Sequence, residues 1–357
     1  MKKLIKILIV ALLAFAMVGC TSNNGGDEPQ TEDEVLKVAV LLPFIGDQSY
    51  FDTVHTGMQK ANETYAGKVE CKLYEVGNTS EEATWMAAFD EVCEDGLYDL
   101  VISGNNTYEG FLYQACEKYP DQMFMNFDYG SLPETGVPAN CYCVNYALDD
   151  LGYAVGALSA ALTTTGTVGV VVGMDIPAMN QFISGYCQIL TEKGTQYVIY
   201  YPGSFTDTAL GYEGTKKLMG AGADVIWQVA GGLGNGVIQA CSEDESVWCV
   251  GVDQDQWLQF SESNPTWANT IITSALKKSD VVVNKAIGML IDGTFAEKLG
   301  KSESWGIVED GVGFAENSFY LENCPEAVRN ELTATLEAVV NGDVQVIDCL
   351  EFADYDN

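Results

Sequence analysis

The sequence predicts an α/β protein with two similar halves, and three observations support this fold class. The chain has 357 residues, which corresponds to about two domains at roughly 150 residues each. Hydrophobic residues make up 47% of the chain and charged residues 19%, so it can form hydrophobic cores and is not a disordered polymer. From residue 37 onward, short apolar runs alternate with longer amphipathic stretches, a pattern typical of parallel strands joined by helices.

The predicted elements fall into two successive series. In the first series the predicted strands are 37–42, 69–76, 100–103, 123–127 and 140–144, and the predicted helices are 51–65, 80–94 and 108–118. In the second series the predicted strands are 168–172, 196–201, 225–230 and 247–252, and the predicted helices are 178–192, 209–221 and 236–242. Two such series predict two lobes, each with its own sheet.

The remainder of the chain predicts a return from the second lobe to the first. It contains an extended segment at 270–272, a helix at 274–290, extended pieces within 305–314 and a final helix at 325–340. So much material after the second series implies that the chain crosses between lobes. The predicted first lobe comprises 37–148 with 270–296, and the predicted second lobe comprises 149–269 with 297–353.

The N-terminus predicts export and attachment to a membrane by lipid. Three lysines within the first six residues precede an apolar run at 7–18, as in a signal peptide. This run is too short to span a bilayer, which needs about 20 residues. The segment Met-Val-Gly-Cys at 17–20 resembles the bacterial lipobox, although Met17 replaces the usual Leu. We therefore expect a signal peptide at 1–19, lipidation at Cys20 and a flexible tether at 20–36; a transmembrane helix or an ordinary secretion signal is the alternative.

Charge and composition exclude several classes of function. Asp and Glu outnumber Lys and Arg by 51 to 17, which gives a formal net charge of -34, and such a surface repels nucleic acid. The chain has one arginine, Arg329, and one histidine, His55, so an arginine clamp for an anion and most histidine-based hydrolase or metal sites are excluded. The ten cysteines after Cys20 match no disulfide or zinc spacing, and we expect most of them to be buried as small hydrophobic side chains.

A binding site is predicted at the carboxyl ends of the strands, where open parallel sheets collect their ligands. The corresponding segments are 44–51, 104–108 and 128–130 in the first half, and 173–177, 202–205, 230–235 and 253–256 in the second. They are rich in Gly, Asp, Asn, Gln and aromatic residues and contain no Lys, Arg or His. This composition favours a neutral ligand that is polyhydroxylated or heteroaromatic.

Several of these segments carry a family resemblance. They read Gly-Met-Asp-Ile-Pro at 173–177, Ala-Gly-Gly-Leu-Gly-Asn-Gly at 230–236 and Gly-Val-Asp-Gln-Asp-Gln at 251–256, with further motifs at 47–50, 118–121 and 273–277. Together they resemble the basic membrane protein family, which includes PnrA-like purine nucleoside receptor lipoproteins. The resemblance runs from about residue 37 to 351.

The resemblance implies a type I periplasmic-binding-protein fold, in which two Rossmann-like lobes joined by a three-strand hinge close on a ligand. It also implies that the chain is the substrate-binding subunit of an ABC importer, with a permease and an ATPase as partners and no catalysis. We expect no cofactor, no metal, no nucleic acid and a monomer. The predicted location is the extracytoplasmic face of the cell membrane, with the lipid anchor as the only membrane contact.

The resemblance also assigns roles to individual residues. Tyr50 and Trp227 are the rings that would sandwich a base, and Asp128 would address its polar edge. Asp253 would accept ribose hydroxyls, and Lys277 would help to hold the sugar.

Further predicted ligand contacts are Asp47, Ser49, Phe51, Asn106, Asp175, Gly231 and Gly232. Phe51 stands where the family commonly has Asn, and the pair at 105–106 differs from the family's more aromatic turn.

The five residues with assigned roles each have an alternative structural interpretation. Asp253 could cap a helix, Asp128 could occupy a turn, and Tyr50 and Trp227 could belong to the core or its rim. Lys277 falls in the predicted helix 274–290, where a lysine is usually solvated.

Three other functions stay open. Gly232, Gly234 and Gly236 imitate a dinucleotide-binding turn, but with the wrong spacing, so a cofactor-dependent enzyme is one alternative. Another flat heteroaromatic ligand such as a flavin, or a sugar, is a second. A sensor lipoprotein with the same fold is the third.

Overall fold

The computed structural model describes residues 35–104 and 106–347. The predicted signal peptide, the lipidation site Cys20, the tether as far as residue 34 and Asn105 lie outside the described residues. The described part contains twelve strands. They are β1 (Leu36–Leu42), β2 (Val69–Glu75), β3 (Leu100–Ser103), β4 (Met123–Phe127), β5 (Cys141–Tyr146), β6 (Thr167–Val172), β7 (Gln196–Tyr200), β8 (Val225–Val229), β9 (Trp248–Asp253), β10 (Ile271–Lys277), β11 (Lys301–Trp305) and β12 (Val312–Phe314).

Helices connect the strands. They are α1 (Tyr50–Thr64), α2 (Glu82–Cys93), α3 (Glu109–Lys118), α4 (Leu148–Leu162), α5 (Pro177–Lys193), α6 (Thr208–Gly220), α7 (Gly234–Cys241), α8 (Gln256–Ser261), α9 (Pro265–Ala268), α10 (Ser279–Ile291), α11 (Ser318–Asn323) and α12 (Glu326–Val340). Short 3-10 turns lie at Gly231–Leu233 and Phe295–Lys298.

The strands form two separate six-stranded sheets. The first has the order β11-β5-β4-β3-β1-β2, and all its strand pairs are parallel. The second has the order β12-β10-β9-β8-β6-β7, in which β12 alone runs antiparallel to its neighbour. Strands such as β3, β5 and β8 are buried along their whole length, because helices cover both faces of a parallel sheet.

Within the described ranges, the chain crosses between the sheets three times, at neighbouring positions. The first crossing lies at Ala147, whose N–H donates to the carbonyl of Trp305 at 3.1 Å. The second lies at Lys278, whose N–H donates to the carbonyl of Gly311 at 2.8 Å, and the third is the segment 306–311. The three connections therefore form one hydrogen-bonded hinge at one end of both sheets, as the resemblance implies.

The hydrogen bonding corrects two of the predicted lobe boundaries. The range 270–296 was assigned to the first lobe, but β10 pairs with β9 in the second sheet. The range 297–353 was assigned to the second lobe, but β11 pairs with β5 in the first sheet. The chain completes β10 in the second sheet and β11 in the first sheet before it crosses the hinge. Each of the two strands therefore belongs to the lobe opposite to the predicted one.

Two helices also differ from the prediction. The predicted helix 274–290 begins only at Ser279, because the chain up to Lys277 forms the strand β10. Helix α4 was not predicted, since eleven of its fifteen residues are buried and a helix buried on nearly all sides lacks the apolar stripe that identifies an amphipathic helix.

The nine cysteines within the described ranges are all buried and none is in a disulfide, which confirms their interpretation as small hydrophobic side chains; Cys349 lies outside those ranges. Among the described residues, no helix combines the length and the apolar character that a membrane crossing requires.

Candidate ligand-binding site

A cavity of about 880 Å³ lies between the facing edges of the two sheets, within the range of roughly 300–1,000 Å³ typical of small-molecule sites. Its walls come from segments that follow strands in both lobes, as the rule for open parallel sheets predicts. Most of the predicted contact residues line this cavity: Asp47, Tyr50, Phe51, Asn106, Asp128, Gly231, Gly232, Asp253 and Lys277. Ser49, Asp175 and Trp227 are not part of the lining.

A buried ion pair closes the end of the cavity nearest the hinge. Lys277 is 2% exposed at the end of β10, and its ammonium group contacts a carboxylate oxygen of Asp128 from the opposite lobe. The same ammonium nitrogen lies 4.7 Å from the ring centroid of Tyr50 and 5.1 Å from that of Tyr146. Two ring faces and one carboxylate therefore compensate the buried charge.

Asp253 lies beside this pair and makes a second contact across the cleft. It is the last residue of β9 in the second lobe, and its Oδ2 accepts a hydrogen bond from the Ser49 hydroxyl of the first lobe. Burial raises the pKa of Asp253 to about 6, while the charge of Lys277 and the hydrogen bond from Ser49 oppose that rise. Ser49 is completely buried, so its hydroxyl holds Asp253 in place from behind the cavity wall.

A third contact joins the lobes at the rim, where Asn235 Nδ2 donates to Gln48 Oε1 at 3.0 Å. The backbone at Gln48, Asp128 and Asp253 has positive φ values of 55°, 62° and 66°. This left-handed conformation is unusual for residues other than glycine, and such strain collects at binding sites. All three cross-lobe contacts thus involve a residue with this conformation.

Asp47 organises the loop before α1. Its two carboxylate oxygens accept hydrogen bonds from the N–H groups of Ser49, Phe51 and Asp52 at 2.9 to 3.1 Å. Burial raises the pKa of the Asp47 carboxyl, and these backbone hydrogen bonds oppose the rise. Asp47 therefore caps the helix and holds Tyr50 and Phe51 against the cavity.

The aromatic side of the first lobe is a row of three rings. Tyr50 and Phe51 meet edge to face with their centroids 5.2 Å apart, and Phe51 meets Phe44 at the same separation. The Tyr50 hydroxyl is buried, and burial together with the negative charge of Asp128 raises the pKa of Tyr50 well above its usual value. Tyr50 is thus a neutral ring next to the ion pair.

The assignment of Trp227 as the second stacking ring is wrong. Its side chain is completely buried in the second lobe, where it packs against Phe182 at 5.7 Å and Tyr186 at 5.3 Å between ring centroids. Trp227 occupies the middle of β8, so it lies behind the wall, whereas ligand-facing residues follow the strand ends. Phe182 is 1% exposed and yet lines the cavity.

Phe205 is the aromatic residue of the second lobe that sequence reasoning did not assign. It lines the cavity, and its ring lies over Gly173, where an added Cβ would come within 2.4 Å of two ring atoms. A side chain at position 173 would displace the ring. The signal for Phe205 was present, since it ends the predicted strand-end segment 202–205.

Glu109 is a second residue that the prediction missed. It is 8% exposed, and its carboxylate accepts hydrogen bonds from the N–H of Gly130 at 2.8 Å and from the N–H and hydroxyl of Ser131 at 3.0 and 2.8 Å. It thereby fixes the loop that follows Asp128. Asp175 is exposed and accepts a hydrogen bond from Asn180 at 2.8 Å, so it stabilises the start of α5 outside the cavity.

The raised pKa of Asp253 makes stability depend on pH. The folded carboxyl has a pKa of about 6 against an ordinary value of 3.8. Its bound proton therefore stabilises the fold fully below pH 3.8, and this stabilisation is lost as the pH rises through about 6. We expect this group to make the protein about 1 kcal/mol less stable at pH 7.5 than at pH 5. Urea unfolding at both pH values should show that Asp253→Asn removes this part of the difference; an unchanged difference would contradict the assignment.

The cavity lining combines carboxylates and amides with a single paired cation among the described residues. Among the described residues that line the cavity, Lys277 is the only cation, and it is paired with Asp128. Carboxylates and amides accept and donate hydrogen bonds to hydroxyls and ring nitrogens. Within 35–104 and 106–347, no group of three or more His, Cys, Asp or Glu side chains is arranged to hold a metal ion.

Comparisons with known proteins agree with this geometry. A family model described as "ABC transporter substrate-binding protein PnrA-like" matches residues 35–343. An uncharacterised lipoprotein of Pyrococcus abyssi is 28% identical over 330 residues, which cover 88% of this chain and 77% of that protein. The "ABC transporter nucleoside-binding protein BmpA" of Lactococcus lactis is 23% identical over 360 residues, which cover 97% of this chain and 99% of that protein.

A solved structure shares the fold. It is an ABC transporter solute-binding protein from Aeropyrum pernix K1, with a TM-score of 0.74 and 21% sequence identity over 88% of this chain and 93% of that one. This likeness confirms the predicted type I periplasmic-binding-protein architecture.

Proposed function

This chain belongs to the family of PnrA-like ABC transporter substrate-binding proteins, and we propose that it captures a purine nucleoside between its lobes and presents it to a permease. The observation that carries the proposal is the cavity between the lobes in which Lys277, Asp128 and Asp253 meet beside the ring of Tyr50. Those groups supply one cationic donor, two carboxylate acceptors and an aromatic face, which match the hydroxyls, polar edge and ring of a nucleoside.

We propose that the base stacks between Tyr50 and Phe205, one ring from each lobe. Both rings line the cavity, and closure of the cleft brings their walls together. Each ring contact would contribute about 0.5–1.5 kcal/mol to the binding free energy, in addition to the contribution from buried apolar surface. No bond is made or broken in this function; the ligand is held until the lobes separate.

Gly173 should be required for this arrangement. We expect Gly173→Ala to displace the Phe205 ring and to raise the Kd for a nucleoside by about 3- to 10-fold, which is the loss of one ring contact. Gly110→Ala is the matched control, because a Cβ there meets no atom within 4 Å. Titration calorimetry would measure both variants, and equal affinities would exclude Phe205 as the stacking ring.

Calorimetry with adenosine, guanosine and inosine tests the function itself. We expect at least one of them to bind with a Kd in the micromolar range or below. Adenosine 5'-monophosphate should bind at least about 10-fold more weakly, since the lining holds four carboxylates and one paired ammonium group and like charges oppose binding. Absence of binding by all three nucleosides would refute the proposal, and mass spectrometry of any co-purified molecule would then identify the ligand class.

We also propose that Cys20 carries a lipid that anchors the protein on the extracytoplasmic face of the cell membrane. The support is the signal-like segment 1–19 and the lipoprotein name of the Pyrococcus abyssi relative. Cell fractionation should find the protein in the membrane and Cys20→Ala in the soluble extracytoplasmic fraction. Equal membrane retention of both would contradict the anchor.

A further inference from the structure

The cavity extends well beyond the group of charges that would hold a nucleoside. In the first lobe its lining reaches from Asp128, which follows β4, to Asn78, which follows β2. Three strand spacings separate these positions in the order β4-β3-β1-β2, which is about 14 Å at roughly 4.8 Å per spacing. This spacing and the cavity volume of about 880 Å³ leave room beside a purine nucleoside held at the hinge end.

The two ends of the cavity differ in chemistry. Asp128, Asp253 and Lys277 lie at the hinge end, which is formed by β4, β9 and β10. The two other lining carboxylates, on Asp47 and Glu109, already accept hydrogen bonds from backbone N–H groups. The far end therefore offers aromatic, apolar and uncharged polar groups instead of charge.

Four residues define this far end, which we call the outer subsite: Phe44, Asn78, Met174 and Thr206. Phe44 continues the row of rings through Phe51 at a centroid separation of 5.2 Å. Met174, on the opposite lobe, is 36% exposed although it is large and apolar. An exposed methionine facing a ring across a cleft can adapt to a flat or apolar partner.

We propose that the outer subsite binds an uncharged aromatic or apolar group attached to the nucleoside, so that the natural ligand is a substituted nucleoside. This inference rests on the proposed function for the hinge end of the cavity. Phe44 and Met174 would hold the added group from the two lobes, and Asn78 and Thr206 would face its polar atoms. A charged substituent has no counter-charge in the outer subsite.

Two adenosine derivatives test the outer subsite whichever way the nucleoside lies. One carries a benzyl group on the exocyclic nitrogen of adenine, and the other carries a benzoyl group on the 5' oxygen. We expect one of the two to bind at least about 10-fold more tightly than adenosine in titration calorimetry, as burial of one further ring allows.

Variants of the outer subsite test whether the added affinity of the derivative arises there. Phe44→Ala should remove most of the added affinity, measured as the ratio of the Kd for adenosine to the Kd for the derivative in the same variant. Met174→Ala, at a partly exposed position, should act in the same direction and keeps the test valid if Phe44→Ala fails to fold. Phe319→Ala is the control, because Phe319 is a half-buried ring outside the cavity.

The outcomes separate the two proposals. If adenosine binds but both derivatives bind no more tightly, or if the gain survives in Phe44→Ala and Met174→Ala, the outer subsite is refuted and the nucleoside function stands. If neither a nucleoside nor a derivative binds, the proposed function fails and the outer subsite fails with it.

Discussion

Replacing Lys277 with Met should lower the free energy of unfolding by about 3–5 kcal/mol, because it leaves the carboxylate of Asp128 buried without its partner. Both side chains are almost completely buried, with 3% and 4% of their surface exposed. Urea unfolding followed by tryptophan fluorescence would measure the loss. The same variant should lose nucleoside binding, since it removes the only cation of the described cavity lining.

The neighbouring lysine provides a matched control. Lys278 pairs with Asp310, whose side chain is 52% exposed, and Lys278→Met should cost less than about 1 kcal/mol, as exposed pairs usually do. The double variant Lys277→Met/Asp128→Asn should recover more than half of the loss, because it no longer buries an unpaired charge. Equal losses for the two lysines, or no recovery in the double variant, would show that the pair is not the cause.

Asp253→Asn should reduce nucleoside affinity by about 2–3 kcal/mol, or roughly 30- to 150-fold in Kd, because a charged acceptor of ligand hydroxyls becomes neutral. The free energy of unfolding at pH 7.5 should stay equal or rise. Burial disfavours the charged form of Asp253 and thereby raises its pKa to about 6, and the neutral amide of Asn does not carry this penalty. A loss of affinity without a loss of stability is expected of a residue that serves binding at some cost to the fold.

Asp175→Asn is the control for this experiment. Asp175 belongs to a motif of the family resemblance, but its side chain is exposed and bonds to Asn180 outside the cavity. Its replacement should change the Kd by less than about 2-fold. Asp253 would lose its assigned role if the two variants bound equally well in calorimetry.

The sequence was sufficient to predict most of the first five strands, because their apolar runs are bounded by turn residues. It also located the cavity, since the rule that ligands gather at strand ends needs no coordinates. Asp128 and Asp253, assigned through the resemblance, lie beside each other because β4 and β9 end at facing edges.

The helix predicted at Lys277 and the stacking role predicted for Trp227 were wrong because the environment of each residue depends on elements that are distant in the sequence. Lys277 was placed in a helix because Ala275, Leu276 and Lys277 all favour helices, yet β10 pairs with both β9 and β12. Trp227 was assigned as a stacking ring through the family resemblance. Which face of a buried strand meets the ligand depends on the packing of α5 against β8, and periodicity does not show this.

Three polar contacts span the cleft and join the two lobes directly. Lys277 reaches Asp128, Ser49 reaches Asp253, and Asn235 reaches Gln48. All three contacts must break before the lobes can move apart. The strength of these contacts therefore limits how fast the cleft opens, and weakening the outermost one with Asn235→Ala should speed opening.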